Sequence, residues 1–127
     1  MGLSARQLFQ KHIAFTNDAP LALEIERAKG SYLFDKEGKS YLDLISGISV
    51  SNMGHSHPKI VEAVQIQAAK HMHVLVYGEL IQNSQTAYAK ALTDHLPSKL
   101  NTVYYVSSGT EATEGALKLA KRATGRT

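Results

Sequence analysis

Apolar residues change their spacing several times along the chain, and each change marks a predicted element. Near the start, Ser4-Ala5-Arg6-Gln7 has the form of a capping box, in which a hydroxyl and an amide side chain each satisfy a free backbone N–H. It predicts a short helix to about His12. Thr16-Asn17-Asp18-Ala19-Pro20 follows as a loop. Two strand-like runs, Ser31-Tyr32-Leu33-Phe34 and Tyr41-Leu42-Asp43-Leu44-Ile45, flank Asp35 to Lys39. Gly38 suits the positive φ of a turn there, so a β-hairpin is expected. From Ser46 to Gly54 the residues are small and helical periodicity is lost, which suits a loop whose backbone approaches something closely.

Pro58 fits the first turn of a helix, and Ile60, Val64, Ala68 and Met72 recur every four residues behind it, predicting a helix to about His71. A second helix is expected from Ser84, with Ala87, Tyr88, Ala91, Leu92 and Leu96 on its inner face and Pro97 as its stop. Thr102-Val103-Tyr104-Tyr105-Val106 is a β-branched and aromatic run of strand length. After the turn Ser107 to Thr110 comes a third helix with Ala112, Ala116, Leu119, Ala120 and Ala123 on one stripe. The order helix, strand, tight turn, helix argues for an α/β sheet with covering helices, preceded by a smaller α+β segment that carries the hairpin. No internal repeat or low-complexity linker interrupts it.

Composition narrows the class. With 127 residues, 43% apolar and 20% charged, the chain has the make-up of a globular domain, and this length allows roughly 65–70% of the unfolded surface to be buried. It contains no cysteine, which excludes disulfides, cysteine nucleophiles and Cys-ligated zinc or iron–sulfur clusters and fits a reducing compartment. Fourteen basic against eleven acidic residues give a net charge of +3 with the signs interleaved. No basic stripe with aromatics points to nucleic acid. No apolar run approaches the roughly 20 residues that cross a bilayer, and the first residues lack a signal peptide's apolar core, so the expectation is a soluble, cytoplasmic protein without a membrane partner.

Candidate chemistry sits first at the strand-to-helix turn. A helix N-terminus leaves its first N–H groups unpaired at the positive end of the macrodipole and so attracts phosphate. Gly109 removes a side chain that would block approach, and the hydroxyls of Ser108 and Thr110 add donors. The same residues, Ser108-Gly109-Thr110-Glu111, also form a capping box that needs no ligand, with Glu111 reaching back to the Ser108 N–H. The turn is neither a nucleotide P-loop nor a Gly-x-Gly-x-x-Gly fingerprint. His55-Ser56-His57 and His71-Met72-His73 offer four imidazoles to a metal, but no carboxylate stands beside either pair and His57 leads into a helix start, so no metal site is assigned. The loop residues Ile48, Val50, Met53, Val74, Leu75, Val76 and Tyr77 belong either to an interaction surface or to the chain's own core.

Taken in order, Pro20 to Glu24, Ala28 to Asp35, Gly38 to Leu44, Ser46 to Val50, Gly54-His55-Ser56-His57-Pro58 and Ser108-Gly109-Thr110-Glu111-Ala112 resemble the N-terminal part of class III aminotransferases. These are pyridoxal-phosphate enzymes of fold type I, and the resemblance is to their acetylornithine and ornithine group. It implies that residues 1–80 form an N-terminal small-domain segment and that 81–127 begin the large cofactor-binding domain. It implies that Ser108, Gly109 and Thr110 bind the phosphate of pyridoxal 5′-phosphate and that Ile48 contacts substrate. Tyr77, with Gly78, would lie near the active site at a homodimer interface, and His55 and His57 would be structural. The reaction implied passes an amino group from an ω-amino donor such as N-acetylornithine to a 2-oxo acid such as 2-oxoglutarate. The Schiff-base lysine of the family is expected beyond residue 127, so this segment carries no catalytic residue and is inactive alone; Lys118, Lys121 and Arg122 read as solvated helix residues. The alternatives are another class III specificity, for ornithine or 4-aminobutyrate, and a catalytically inactive anion-binding or protein-interaction module.

Overall fold

The computed structural model describes residues 2–75 and 78–126. The chain divides into two units, Met1–Val74 and Leu75–Thr127. In the first, Ser4 caps helix α1 (Ala5–His12): its hydroxyl accepts from Gln7 N at 3.3 Å while Gln7 Oε1 takes the Ser4 N–H at 2.8 Å, the reciprocal capping box expected from the sequence. Lys11 and His12 face the negative end of that helix.

Three strands follow, β1 (Ile25–Lys29), β2 (Tyr32–Asp35) and β3 (Ser40–Leu42), paired antiparallel in the order β1-β2-β3. The β2–β3 turn is held by Asp35, whose Oδ1 accepts from Glu37 N and Lys39 N, with Gly38 at φ 84° completing it. The β1 strand was not expected. Its sequence, Ile-Glu-Arg-Ala-Lys, offers no alternation of apolar and polar positions, and a register shift between Ile25 and Arg27 breaks its period. It exists because it pairs with β2, where Arg27 lies opposite Phe34 with its guanidinium carbon 3.6 Å from the ring centroid.

After β3 the chain makes a tight turn, α2 (Ser46–Ser49), and then helix α3 (Pro58–Lys70), with Pro58 in its first turn and an end one residue before the expected His71. Met72, assigned from its spacing to the stripe of α3, lies beyond the helix and is largely exposed.

The second unit holds helices α4 (Asn83–Thr93) and α5 (Gly109–Thr124). The α4 helix stops short of Pro97: His95 N bonds Leu92 O and Leu96 N bonds Thr93 O, tightening the chain before proline is reached. The α5 helix ends on Gly125 in the left-handed conformation, φ 66°, with Gly125 N bonded to Lys121 O. Between them, the strand expected over Thr102–Val106 is absent. A strand is defined by its ladder, and no described residue pairs with this segment; Tyr105 fastens it to α4, its hydroxyl donating to Gln85 O at 2.6 Å and its ring lying 6.2 Å from that of Tyr88. The only sheet among the described residues is the antiparallel one of the first unit, which makes the chain a helix-and-sheet fragment of the α/β class.

Burial falls short of what the length allows. No described side chain is fully enclosed, and the chain exposes 11569 Å². A compact monomer of 13.9 kDa exposes roughly 6,700 Å², and two separate compact bodies of about 8 and 6 kDa together expose only about 8,000 Å². Apolar stripes that periodicity assigned to a core therefore face outward, including Leu119 of α5 at 69% exposure.

Candidate functional site

The start of α5 brings Ser108, Gly109 and Thr110 together on one turn. Ser108 is the N-cap, extended at φ −149° and ψ 161°, and its hydroxyl accepts from Glu111 N at 3.2 Å. The capping box is not closed as expected: the Glu111 carboxylate reaches past Ser108 and takes the Ser107 N–H at 2.7 Å. Its charge is thereby engaged on the segment before the helix. The Gly109 and Thr110 N–H groups and the Thr110 hydroxyl have no acceptor among the described residues. A Cβ built on Gly109 would meet nothing within 4 Å, and this glycine does not need positive φ. Neither packing nor backbone strain calls for glycine at 109. The open space at Gly109 lies at the positive end of a 16-residue helix, where an anion is favoured.

In the first unit, Ile48 lies on a turn of unusual shape. Ser46, Gly47, Ile48 and Ser49 all have positive φ, between 52° and 64°. Glycine accepts this conformation freely. For the other three, Cβ crowds a carbonyl oxygen at a cost on the order of 1–2 kcal/mol each, and a β-branched residue such as Ile48 is a rare occupant. The result is an apolar side chain held out at 86% exposure. Where a loop was expected, Ser46–Ser49 form a left-handed turn, a shape not legible from residue types alone.

What holds that turn is Asp43, which in sequence is only one residue of a strand-like run. Its Oδ1 accepts from Ile45 N at 3.0 Å and Ser46 N at 2.8 Å, and its Oδ2 lies 2.6 Å from His55 Nε2. The His55 contact first, and the Ser46 and Ile45 N–H groups with it, hold the Asp43 carboxyl below its ordinary value of 3.8 against the opposing effect of burial. His55 is itself fixed by a backbone bridge, Gly30 N to His55 O at 3.0 Å and His55 N to Gly30 O at 2.8 Å. Gly54, at φ 83°, allows that bridge, since a Cβ there would stand 3.3 Å from Gly30 Cα. No carboxylate neighbours His55 in sequence; the partner comes from twelve residues upstream, and only the folded hairpin brings it near.

The remaining histidines are spread out. His57 precedes α3 with its carbonyl accepting from Ile60 N and Val61 N, and His71 follows the helix, with its carbonyl taking the Gln67 side-chain amide at 3.1 Å. Tyr77 lies outside the described residues. Lys118 pairs with Glu114 at 3.2 Å on an exposed face of α5.

Comparison with known proteins gives this geometry a family. The family model described as "Aminotransferase class-III" matches residues 13–127. An acetylornithine aminotransferase of Bacillus amyloliquefaciens is 47% identical over 106 residues, covering 83% of this chain and 44% of that protein. Among solved structures, adenosylmethionine-8-amino-7-oxononanoate aminotransferase from Methanocaldococcus jannaschii superposes with a TM-score of 0.82 at 34% identity, over 91% of this chain and 27% of that one. Taurine:2-oxoglutarate aminotransferase from Bifidobacterium kashiwanohense, solved with pyridoxal phosphate and glutamate, gives a TM-score of 0.78 at 27% identity, over 93% and 27%. The chain thus spans less than half the length of the relatives it matches. Because that family match spans residues 13–127, the chain belongs to the class III aminotransferases.

Proposed function

We propose that this chain is the part of a pyridoxal 5′-phosphate-dependent aminotransferase that anchors the cofactor phosphate and lines the amino-donor side of the pocket. The full-length enzyme moves an amino group from an ω-amino substrate such as N-acetylornithine to a 2-oxo acid such as 2-oxoglutarate. The observation that carries this reading is the head of α5, where the Gly109 and Thr110 N–H groups and the Thr110 hydroxyl have no acceptor among the described residues and a Cβ on Gly109 would meet nothing within 4 Å. That donor set fits a phosphate dianion: it offers hydrogen bonds to charged oxygens, the helix dipole adds to them, and the one nearby carboxylate is engaged elsewhere.

Each residue has a role in this reading. Ser108 fixes the helix end, Gly109 donates its N–H and clears the approach, and Thr110 donates N–H and hydroxyl. Ile48 meets the amino donor, and Tyr77, with Gly78, completes the site in a homodimer. The cofactor, when bound, supplies the electron sink that amino transfer needs. The lysine that moves the proton comes from beyond residue 127, and the enzyme works in the cytoplasm. The pyridoxal phosphate and glutamate bound by the taurine aminotransferase relative support this cofactor and this acceptor, and the acetylornithine aminotransferase relative supports the donor.

The test is glutamate formation by the full-length protein from 2-oxoglutarate with N-acetylornithine, ornithine or 4-aminobutyrate as donor. The highest kcat/KM is expected with N-acetylornithine. A preference for either other donor overturns that specificity, and cofactor binding without transfer from any donor returns the chain to an anion-binding module.

A further inference from the structure

We infer that Asp43 and His55 are positioning residues for the amino donor: their hydrogen-bonded pair latches the left-handed turn Ser46–Ser49 into the one shape that presents Ile48. The inference rests on the reading above that Ile48 faces the donor. Its basis is a conflict between sequence and backbone. Three of the four residues of the turn are poorly suited to positive φ, so local preference opposes the observed shape. The bonds within the turn, Ile48 N to Ile45 O at 2.9 Å and Val50 N to Ser46 O at 2.8 Å, close it but do not anchor it to anything else. Anchoring comes from Asp43 alone among the described side chains, with one oxygen on the two N–H groups that enter the turn and the other on His55. Asp43 N bonds Ser31 O at 2.9 Å and His55 is bridged to Gly30, so both members of the pair are fastened to the β1–β2 hairpin. The sheet thus sets the shape of a turn that its own residues disfavour.

Releasing the latch leaves the turn free to relax, and donor affinity falls by the fraction of time the presenting shape is lost. In the full-length holoenzyme, His55→Phe keeps a ring of similar size without the nitrogen, and Asp43→Ala removes the acceptor shared by Ile45 N, Ser46 N and His55. Both are expected to raise KM for the amino donor about tenfold. The kcat, the KM for the 2-oxo acid and the retention of pyridoxal phosphate should stay within about twofold. Adding Ser46→Gly and Ser49→Gly, which favour positive φ without touching the latch, should return the donor KM to within about threefold of the parent. The hydroxyls removed bond no described residue.

Parallel loss of kcat, cofactor and both KM values would mark a merely structural pair and overturn the inference, as would failure of the glycine pair to rescue. Amide hydrogen exchange over residues 45–51 separates the two layers of the argument. Exchange at the parent rate in both variants overturns the latch. Faster exchange, with Ile48→Ala leaving the donor KM unchanged, keeps the latch and overturns the donor-side reading of Ile48.

Discussion

Gly109→Val separates a glycine kept for a ligand from one kept for the fold. A Cβ at 109 meets nothing within 4 Å and the position does not use positive φ, so the folded chain has room for the substitution. Gly109 is the first residue of α5, outside the helix interior where glycine costs about 0.5–1 kcal/mol relative to alanine, and valine is itself a weak helix former, so the melting temperature should stay level. The ligand sees the opposite. If phosphate accepts from the N–H groups of Gly109 and Thr110, each charge-assisted bond contributes about 1.5–3 kcal/mol. Forcing the anion off one of them therefore weakens cofactor binding by about 10- to 150-fold, taking 1.4 kcal/mol as a factor of ten. The assay is titration of the full-length apoenzyme with pyridoxal 5′-phosphate, followed by absorbance, beside thermal melts of parent and variant without cofactor. Unchanged affinity with unchanged melting would refute the phosphate assignment. A marked drop in apoenzyme melting would show instead that glycine serves the backbone, against the open space seen here.

Two further outcomes test the elements around the sites. Ser108→Ala removes the acceptor of Glu111 N and should lower unfolding stability by about 1 kcal/mol, while Ser108→Gly costs only a few tenths; denaturant midpoints of the two variants check the order, and equal midpoints would deny Ser108 its capping role. The Asp43 carboxyl, held below its ordinary value, binds fewer protons folded than unfolded, so its contribution is present above about pH 3.9 and is lost as pH falls through the lowered value. Protection factors over residues 45–51 should therefore drop below about pH 4 in the parent and show no such step in Asp43→Asn.

Sequence disclosed the parts of this chain whose causes are local. The Ser4–Gln7 capping box, the Asp35–Gly38 turn, Pro58 at the start of α3 and the Ser108–Thr110 turn each act within three or four residues, and each is found where it was expected. The parts it hid depend on distant partners. The β1 strand has no hydrophobic period because its reason for being extended is β2, and Asp43 is an ordinary residue of a strand-like run until the hairpin brings His55 to 2.6 Å. The left-handed turn is hidden twice over, since serine and isoleucine argue against the conformation that the Asp43 anchor imposes.

The absence of the strand expected at Thr102–Val106 follows from the same distinction. Its β-branched and aromatic residues satisfy strand propensity, which expresses how well a side chain fits a pleated, half-buried surface. That surface is supplied by neighbours. Tyr104 is 84% exposed, and Tyr104 and Val106 instead line an open apolar groove of about 610 Å³ with Ala112, Ala116 and Leu119 of α5. A segment of this kind, set against a helix whose stripe is also uncovered, has one side of a β–α unit in place and the lateral pairing unmet. Propensity and periodicity therefore mark which positions are apolar, while the pairing that would make Thr102–Val106 a strand has to come from a neighbour that no described residue supplies.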